Sequence, residues 1–368
     1  MARSKHITLG ASAALMLAAA PALAGGIERT NQSIAPIFET GTYLELGLSR
    51  VNPSVSGKDL IPGSPGTGDV ARSYTTYSLA YKRDFTPQIS GAIIIDTPFG
   101  ADTAYPLGES MRLGGTRADV SSTALTGVLR WHDESGFGVH GGVRMLRSDA
   151  AVDLSGLAYG APVPGGLNGY SVRFDRDTAW GWLLGISYEI PDIAARVSLT
   201  FNSSIEHEFD TTDNLPGDPG KTKVNTPRSW NLEFQSGVAA DTLVFGSIRW
   251  VKWSEFRVEP RPGIDLVDLE DSTTFTLGVG RKFTDNWSGS VSFTYEKRGK
   301  DLVSPLAPVS GRKGVTLAAI YTQDNFKLTT GINYTRLGDA KAQAVGAAHA
   351  QMEDNDAVTV GMRLGISF

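Results

Sequence analysis

The 368-residue chain contains no cysteine. That excludes a disulfide framework and any thiolate metal site. Neither G-x-S-x-G nor H-E-x-x-H occurs, so no nucleophile elbow and no zincin pair is written into it. Charged residues make up only 20%, with a net charge of -5, which argues against nucleic acid as a partner. Past residue 24 no stretch reaches 18 consecutive apolar residues, so no transmembrane helix is expected.

What is present begins with an export signal. Arg3 and Lys5 precede an apolar run from Ile7 to Ala20, and Ala22-Leu23-Ala24 reads as a cleavage site. Residues 1–24 are thus expected to be removed, and no cysteine follows to accept a lipid. An exported chain without an apolar helix is periplasmic, secreted, or a membrane barrel.

The closing stretch Asp356 to Phe368 separates these. Val358, Val360, Met362, Leu364, Ile366 and Phe368 alternate with Ala357, Thr359, Gly361, Arg363, Gly365 and Ser367. Strict period-two patterning with one apolar face is a strand, and a bilayer-spanning strand puts that face on lipid. Fourteen such segments can be marked, near 41–51, 72–84, 88–97, 119–132, 136–147, 170–190, 194–209, 226–238, 242–256, 273–283, 287–297, 312–322, 325–336 and 356–368. Val197, Leu199, Phe201 and Ile205 are assigned to one face. The opposite faces carry Arg144, Arg196, Glu206, Glu233, Arg249, Glu296 and Arg363.

The connections alternate between short and long. Thr86-Pro87, Asp133-Glu134-Ser135 and Gln323-Asp324 are short; 52–71, 98–118, 148–169, 210–225, 257–272, 298–311 and 337–355 are long. Tight periplasmic turns opposite long external loops are the asymmetry of an outer-membrane barrel, and an even strand number puts both ends on one side. Tyr74, Tyr77, Tyr81, Trp180, Trp182, Tyr188, Trp250 and Trp253 gather near segment ends, as interfacial girdles do. The expected fold is all-β: a fourteen-stranded antiparallel transmembrane β-barrel spanning 41–368, preceded by a short segment at 25–40.

Thr226-Pro227-Arg228-Ser229-Trp230, then Ala240-Asp241, then Trp250-Val251-Lys252-Trp253-Ser254-Glu255-Phe256 resembles the FadL-type outer-membrane fatty acid transporters. Trp180-Gly181-Trp182, Asp285-Asn286-Trp287 and the closing strand add to the resemblance, which covers the chain from about Asp175 onward. It implies a fourteen-stranded barrel, an N-terminal hatch inside it, and uptake of long-chain fatty acids or other hydrophobic compounds. It also implies a kink in the third strand that opens the wall sideways. The hatch would carry Ile34, Ile37 and Phe38, and the gate would be Pro98, Phe99 and Gly100. Proline cannot donate to a ladder, so either a break or a plain strand end at Thr97 fits. One departure stands out: the Asn-Pro-Ala element usual in the family is missing, and only about fifteen residues precede the first strand.

The long 148–169 loop is unusually apolar, with Leu154, Leu157, Tyr159 and Val163 as candidate capture residues; packing against neighbouring loops would cluster them equally well. Arg144, Arg196 and Arg249 have lumen parity and could meet a carboxylate, or pair with glutamates across the lumen. His140 has lumen parity and His207 an outward one, with no serine–histidine–acid spacing around either. The expected function is import of hydrophobic small molecules, without catalytic residues, cofactor or metal. A general porin, a lipid-modifying barrel and a purely structural barrel are the competing classes. Expected partners are the solute, outer-membrane lipid and lipopolysaccharide, and the barrel assembly machinery through the strand ending at Phe368. The expected location is the Gram-negative outer membrane.

Overall fold

The computed structural model describes residues 26–368. The export signal at 1–24 and Gly25 lie outside the described residues. Seventeen strand segments form one antiparallel sheet that closes on itself. Three wall strands are interrupted once each, so the wall has fourteen strands. They run Tyr43–Ser54, Tyr74–Asp84, Ile89–Asp96 resuming at Gly100–Ala104, Arg117–His132, Phe137–Leu154, Tyr170–Ile190, and Ala195–Asn202 resuming at Ile205–Asp213. The eighth is Lys221–Thr226 resuming at Ser229–Ala239, followed by Thr242–Val251, Ser272–Lys282, Trp287–Glu296, Arg312–Gln323, Phe326–Leu337 and Asp356–Ser367.

Closure is made by the terminal strand. Leu46 lies opposite Leu364 and Arg50 opposite Val360, so the last strand seals the first and leaves no free edge. On that strand Val360 and Met362 are exposed while Thr359 and Arg363 are buried inside. The same inversion runs round the wall: Leu46, Ile93, Leu129, Leu184, Leu277 and Phe293 point out, and Glu45, Lys82, Arg144, Glu233, Arg249 and Glu296 point in. A greasy exterior over a polar interior is stable only with hydrocarbon outside.

The turns follow the expected asymmetry, with tight connections at one end and long ones at the other. Two boundaries differ from expectation. The fifth strand continues to Leu154, so the first seven residues of the expected 148–169 loop are wall. The expected 210–225 loop is shorter, because its flanking strands run to Asp213 and restart at Lys221. At the long end, Gly57–Asp59, Leu302–Val303, Ala340–Ala344 and Ala347–Met352 form a four-stranded cap. Asp59 ties the cap to the loop after the third strand, accepting from Ser110 Oγ at 2.6 Å and Met111 N at 2.9 Å.

The N-terminal segment lies inside the barrel. Ala35–Phe38 is one turn of 3-10 helix with every residue buried. Ile34, Ile37 and Phe38 pack on Ala80, Ala92, Ile94, Val128 and Leu183 of the wall. The Arg130 and Arg196 guanidiniums lie over the Phe38 ring at 4.9 and 4.4 Å, and His140 meets it in a T-shaped contact.

Candidate functional site

The third strand places the site. Proline at 98 has no N–H for the ladder, and pairing with the second strand stops at Leu79 opposite Ile95. It returns only at an isolated bridge, Ala71 opposite Thr103. Between them the strand turns inward and takes the hatch as its partner. Pro98 O accepts from Arg29 N at 2.8 Å, Gly100 N donates to Ile27 O at 2.8 Å, and Phe99 N donates to Ser122 Oγ at 2.9 Å. The hatch and the fourth strand thereby take up backbone groups that the break frees at Pro98, Phe99 and Gly100. At Gly100 a Cβ would stand 2.3 Å from Arg29 Nε, so a larger residue would push that side chain away from the break. The strand therefore breaks and resumes rather than ending at Thr97. A cavity of about 60 Å³ at this break is lined by Ser33, Asp96 and Arg363 from the lumen and by Leu48, Tyr77 and Met362 from the outer face.

Phe99 projects into the lumen and meets Trp253 edge-on at 6.1 Å; Trp253 meets Phe256 likewise at 6.0 Å. Trp253 is fully buried against Gly26, whose Cβ would overlap its ring. It is thus a floor for the hatch and not part of a girdle, in contrast to the exposed Trp180, Trp182 and Tyr188. Above the hatch lies an apolar cavity of about 70 Å³ bounded by Ile27, Phe99, Leu146, Phe174, Phe209, Val224, Phe256 and Leu306. A second hollow of about 370 Å³ opens among the external loops, between Leu154, Tyr159, Leu167, Ile264, Leu266 and Leu306. Leu266 and Leu306 belong to both hollows. Burial raises the phenol pKa of Tyr105 and Tyr159 at this end, keeping both neutral.

The candidate loop residues separate. Leu154 and Tyr159 line the loop hollow, Val163 packs half-buried beneath it, and Leu157 points to solvent. The three arginines are buried and already engaged. Arg249 is paired with Glu28 of the hatch and donates to Ser229 Oγ at 3.1 Å. Arg144 donates to Thr126 Oγ1 at 2.9 Å and Asn202 Oδ1 at 3.0 Å. None of the three lines the apolar cavity. The expected partner Glu206 faces out and pairs with Lys223, whereas Glu233 accepts from hatch Ser33 and Glu296 pairs with Arg312.

One residue changes sides. His207 is 1% exposed and lines the apolar cavity, where sequence parity puts it outside. The seventh strand has even-numbered residues inward up to Asn202 and odd-numbered ones inward from Ile205. The slip is at Ser203-Ser204, opposite the Pro227-Arg228 break of the eighth strand. One break inverts every later side chain. Two serines at the end of an outward apolar run were the available signal. Glu206, Glu208, Lys221 and Lys223 form an exposed ion-pair ladder on the outside here, so this stretch stands clear of the bilayer.

A family model described as outer membrane protein transport protein (OMPP1/FadL/TodX) matches residues 30–367. No curated protein matches the chain. Among solved structures, a Pseudomonas aeruginosa FadL homologue superposes with a TM-score of 0.76 at 14% identity, covering 96% of this chain and 98% of that one. The Pseudomonas putida toluene transporter TodX gives 0.65 at 13%, covering 96% and 99%. The Ralstonia pickettii toluene transporter TbuX gives 0.62 at 14%, covering 90% of each. Those identities show a shared fold, and the family match over residues 30–367 shows more: this chain belongs to the OMPP1/FadL/TodX family of outer-membrane transport proteins of Gram-negative bacteria.

Proposed function

We propose that the chain imports uncharged hydrophobic small molecules, passing them from the loop hollow to the apolar cavity and then sideways through the third-strand break. The single observation that carries this is the cavity between hatch, break and loops. Its lining is mostly aliphatic and aromatic, with no lysine, arginine, aspartate or glutamate among it. Burial of apolar surface drives a hydrocarbon into such a space, while a carboxylate would enter without a counter-charge. Neutral solutes are therefore favoured over ionised long-chain fatty acids. The toluene transporters among the solved structures support the same solute class.

Two further features fit. The hatch packs Ile34, Ile37 and Phe38 against the inner wall, which supports a lumen narrowed against polar solutes. The cavity at the break has lumen residues on one side and lipid-facing residues on the other, so an apolar solute leaving there need not cross water. Deleting the gene and restoring it on a plasmid tests the reading. Uptake of labelled toluene should fall on deletion and return on restoration, while uptake of a small sugar stays unchanged. Loss of sugar uptake with unchanged toluene uptake would identify a porin instead.

A further inference from the structure

The apolar cavity contains one polar atom with nothing to bind. His207 stacks on Phe209 with ring centroids 5.2 Å apart, and its Nδ1 lies 2.8 Å from an Asp177 carboxylate oxygen. Its Nε2 is buried and has no hydrogen-bond partner. The other polar groups of the lining are spent on the backbone: Ser148 Oγ donates to Ser121 O at 2.9 Å, and Thr226 Oγ1 accepts from Ile205 N at 3.1 Å. A buried polar atom left open in an otherwise dry wall is costly unless something fills it. The geometry points to a ligand group at Nε2. Resting on the transport reading above, it assigns to the cavity an uncharged apolar molecule that carries one hydroxyl, such as a phenol or an alcohol.

The donor sense follows from Asp177. A carboxylate accepts, so the imidazole must donate from Nδ1–H, which leaves Nε2 of the neutral ring as an acceptor. Burial lowers the pKa of His207, with the Asp177 contact opposing it, so the ring is held neutral. A hydroxyl donates to that nitrogen, whereas an ether or a plain hydrocarbon leaves it bare. Phe174 and Phe209 meet edge-on at 5.9 Å beside it, offering aromatic walls to the apolar remainder of the ligand. His207 is therefore a specificity residue, and Asp177 a positioning residue that sets its tautomer.

Three probes of similar bulk separate the possibilities: toluene, 4-methylphenol and the methyl ether of 4-methylphenol. Binding is measured on the full mature chain in lipid nanodiscs, against empty nanodiscs. The native protein should favour the phenol over the ether by about tenfold, the worth of one hydrogen bond. His207→Phe keeps the ring stack and should bring that ratio to about one. Asp177→Asn can donate to Nδ1 and so turn Nε2 into a donor; it should move the preference toward the ether. Heat-modifiable mobility confirms closed barrels for both variants, and Asp177→Asn carries the test if His207→Phe does not assemble. Equal phenol and ether binding by the native protein with toluene bound overturns this inference alone. A phenol preference that survives both variants does the same. Absence of toluene binding to the native protein overturns the transport reading and this inference with it.

Discussion

Arg249 shows how a lumen charge is spent. It joins hatch to wall, pairing with Glu28 across 221 residues of sequence and donating to Ser229. Both partners are largely removed from solvent, so breaking one side strands the other. Arg249→Ala should lower barrel stability by about 3 kcal/mol in urea unfolding and expose the hatch to limited proteolysis. An unchanged unfolding midpoint with a protease-resistant hatch would show that Ile34, Ile37 and Phe38 hold the segment by packing alone. Arg144 and Arg196 belong to the same interior web, the second lying over Phe38 at 4.4 Å. Elsewhere, ion pairs fasten the external loops: Arg261 holds Asp213 below the usual carboxylate range, with Tyr170 adding a hydrogen bond.

Strand interruptions carry most of the functional geometry. Removing Ser204 should absorb the slip into an unbroken alternation, Asn202 inward, Ser203 outward and Ile205 inward, so that His207 and Phe209 still line the cavity. The variant should reach the compact heat-modifiable form; failure to assemble would refute the slip. The third-strand break can be tested by a staple. Because the chain has no cysteine, Tyr77→Cys with Thr97→Cys offers only two thiols, on either side of the gap where pairing of the second and third strands has stopped. Bridging them with a short cleavable bis-maleimide should depress toluene uptake, and cleavage should restore it. Uptake indifferent to the bridge would argue for passage straight down the lumen. Wall strands were legible in the sequence wherever alternation ran unbroken, as in 312–322 and 356–368. Alternation fails at its breaks, because one misplaced residue inverts all those after it. That is why His207 and Glu206 were assigned to the wrong faces, and why Trp253, just past the end of the ninth strand, was counted with the girdle. The Pro98 break could be located, but its hatch partners could not: the pairing of Arg29 N with Pro98 O joins segments that no local pattern connects.

Taken whole, the molecule is a wall with a greasy outside, a polar inside, and an apolar chamber set between a hatch and a cap. Its polar interior would by itself suggest a water-filled pore. The N-terminal segment packs inside one stretch of it, and the cap covers the loop end with Ala342, Ala350 and Met352 in the same buried apolar cluster as Phe99 and Leu306. The chamber touches the wall where the wall is discontinuous, which is the arrangement an importer of apolar solutes needs. Loop residues placed by composition alone divide between lining, packing and solvent, so Leu154 and Tyr159 stay in the capture proposal and Leu157 leaves it. The most direct measurement is toluene uptake by cells producing Ala150→Trp, which fills the chamber from a half-buried position in its wall. With heat-modifiable mobility intact, the account expects uptake to drop to that of cells lacking the protein. Uptake equal to the native level would contradict it, because solutes would then be crossing by a route that avoids the chamber.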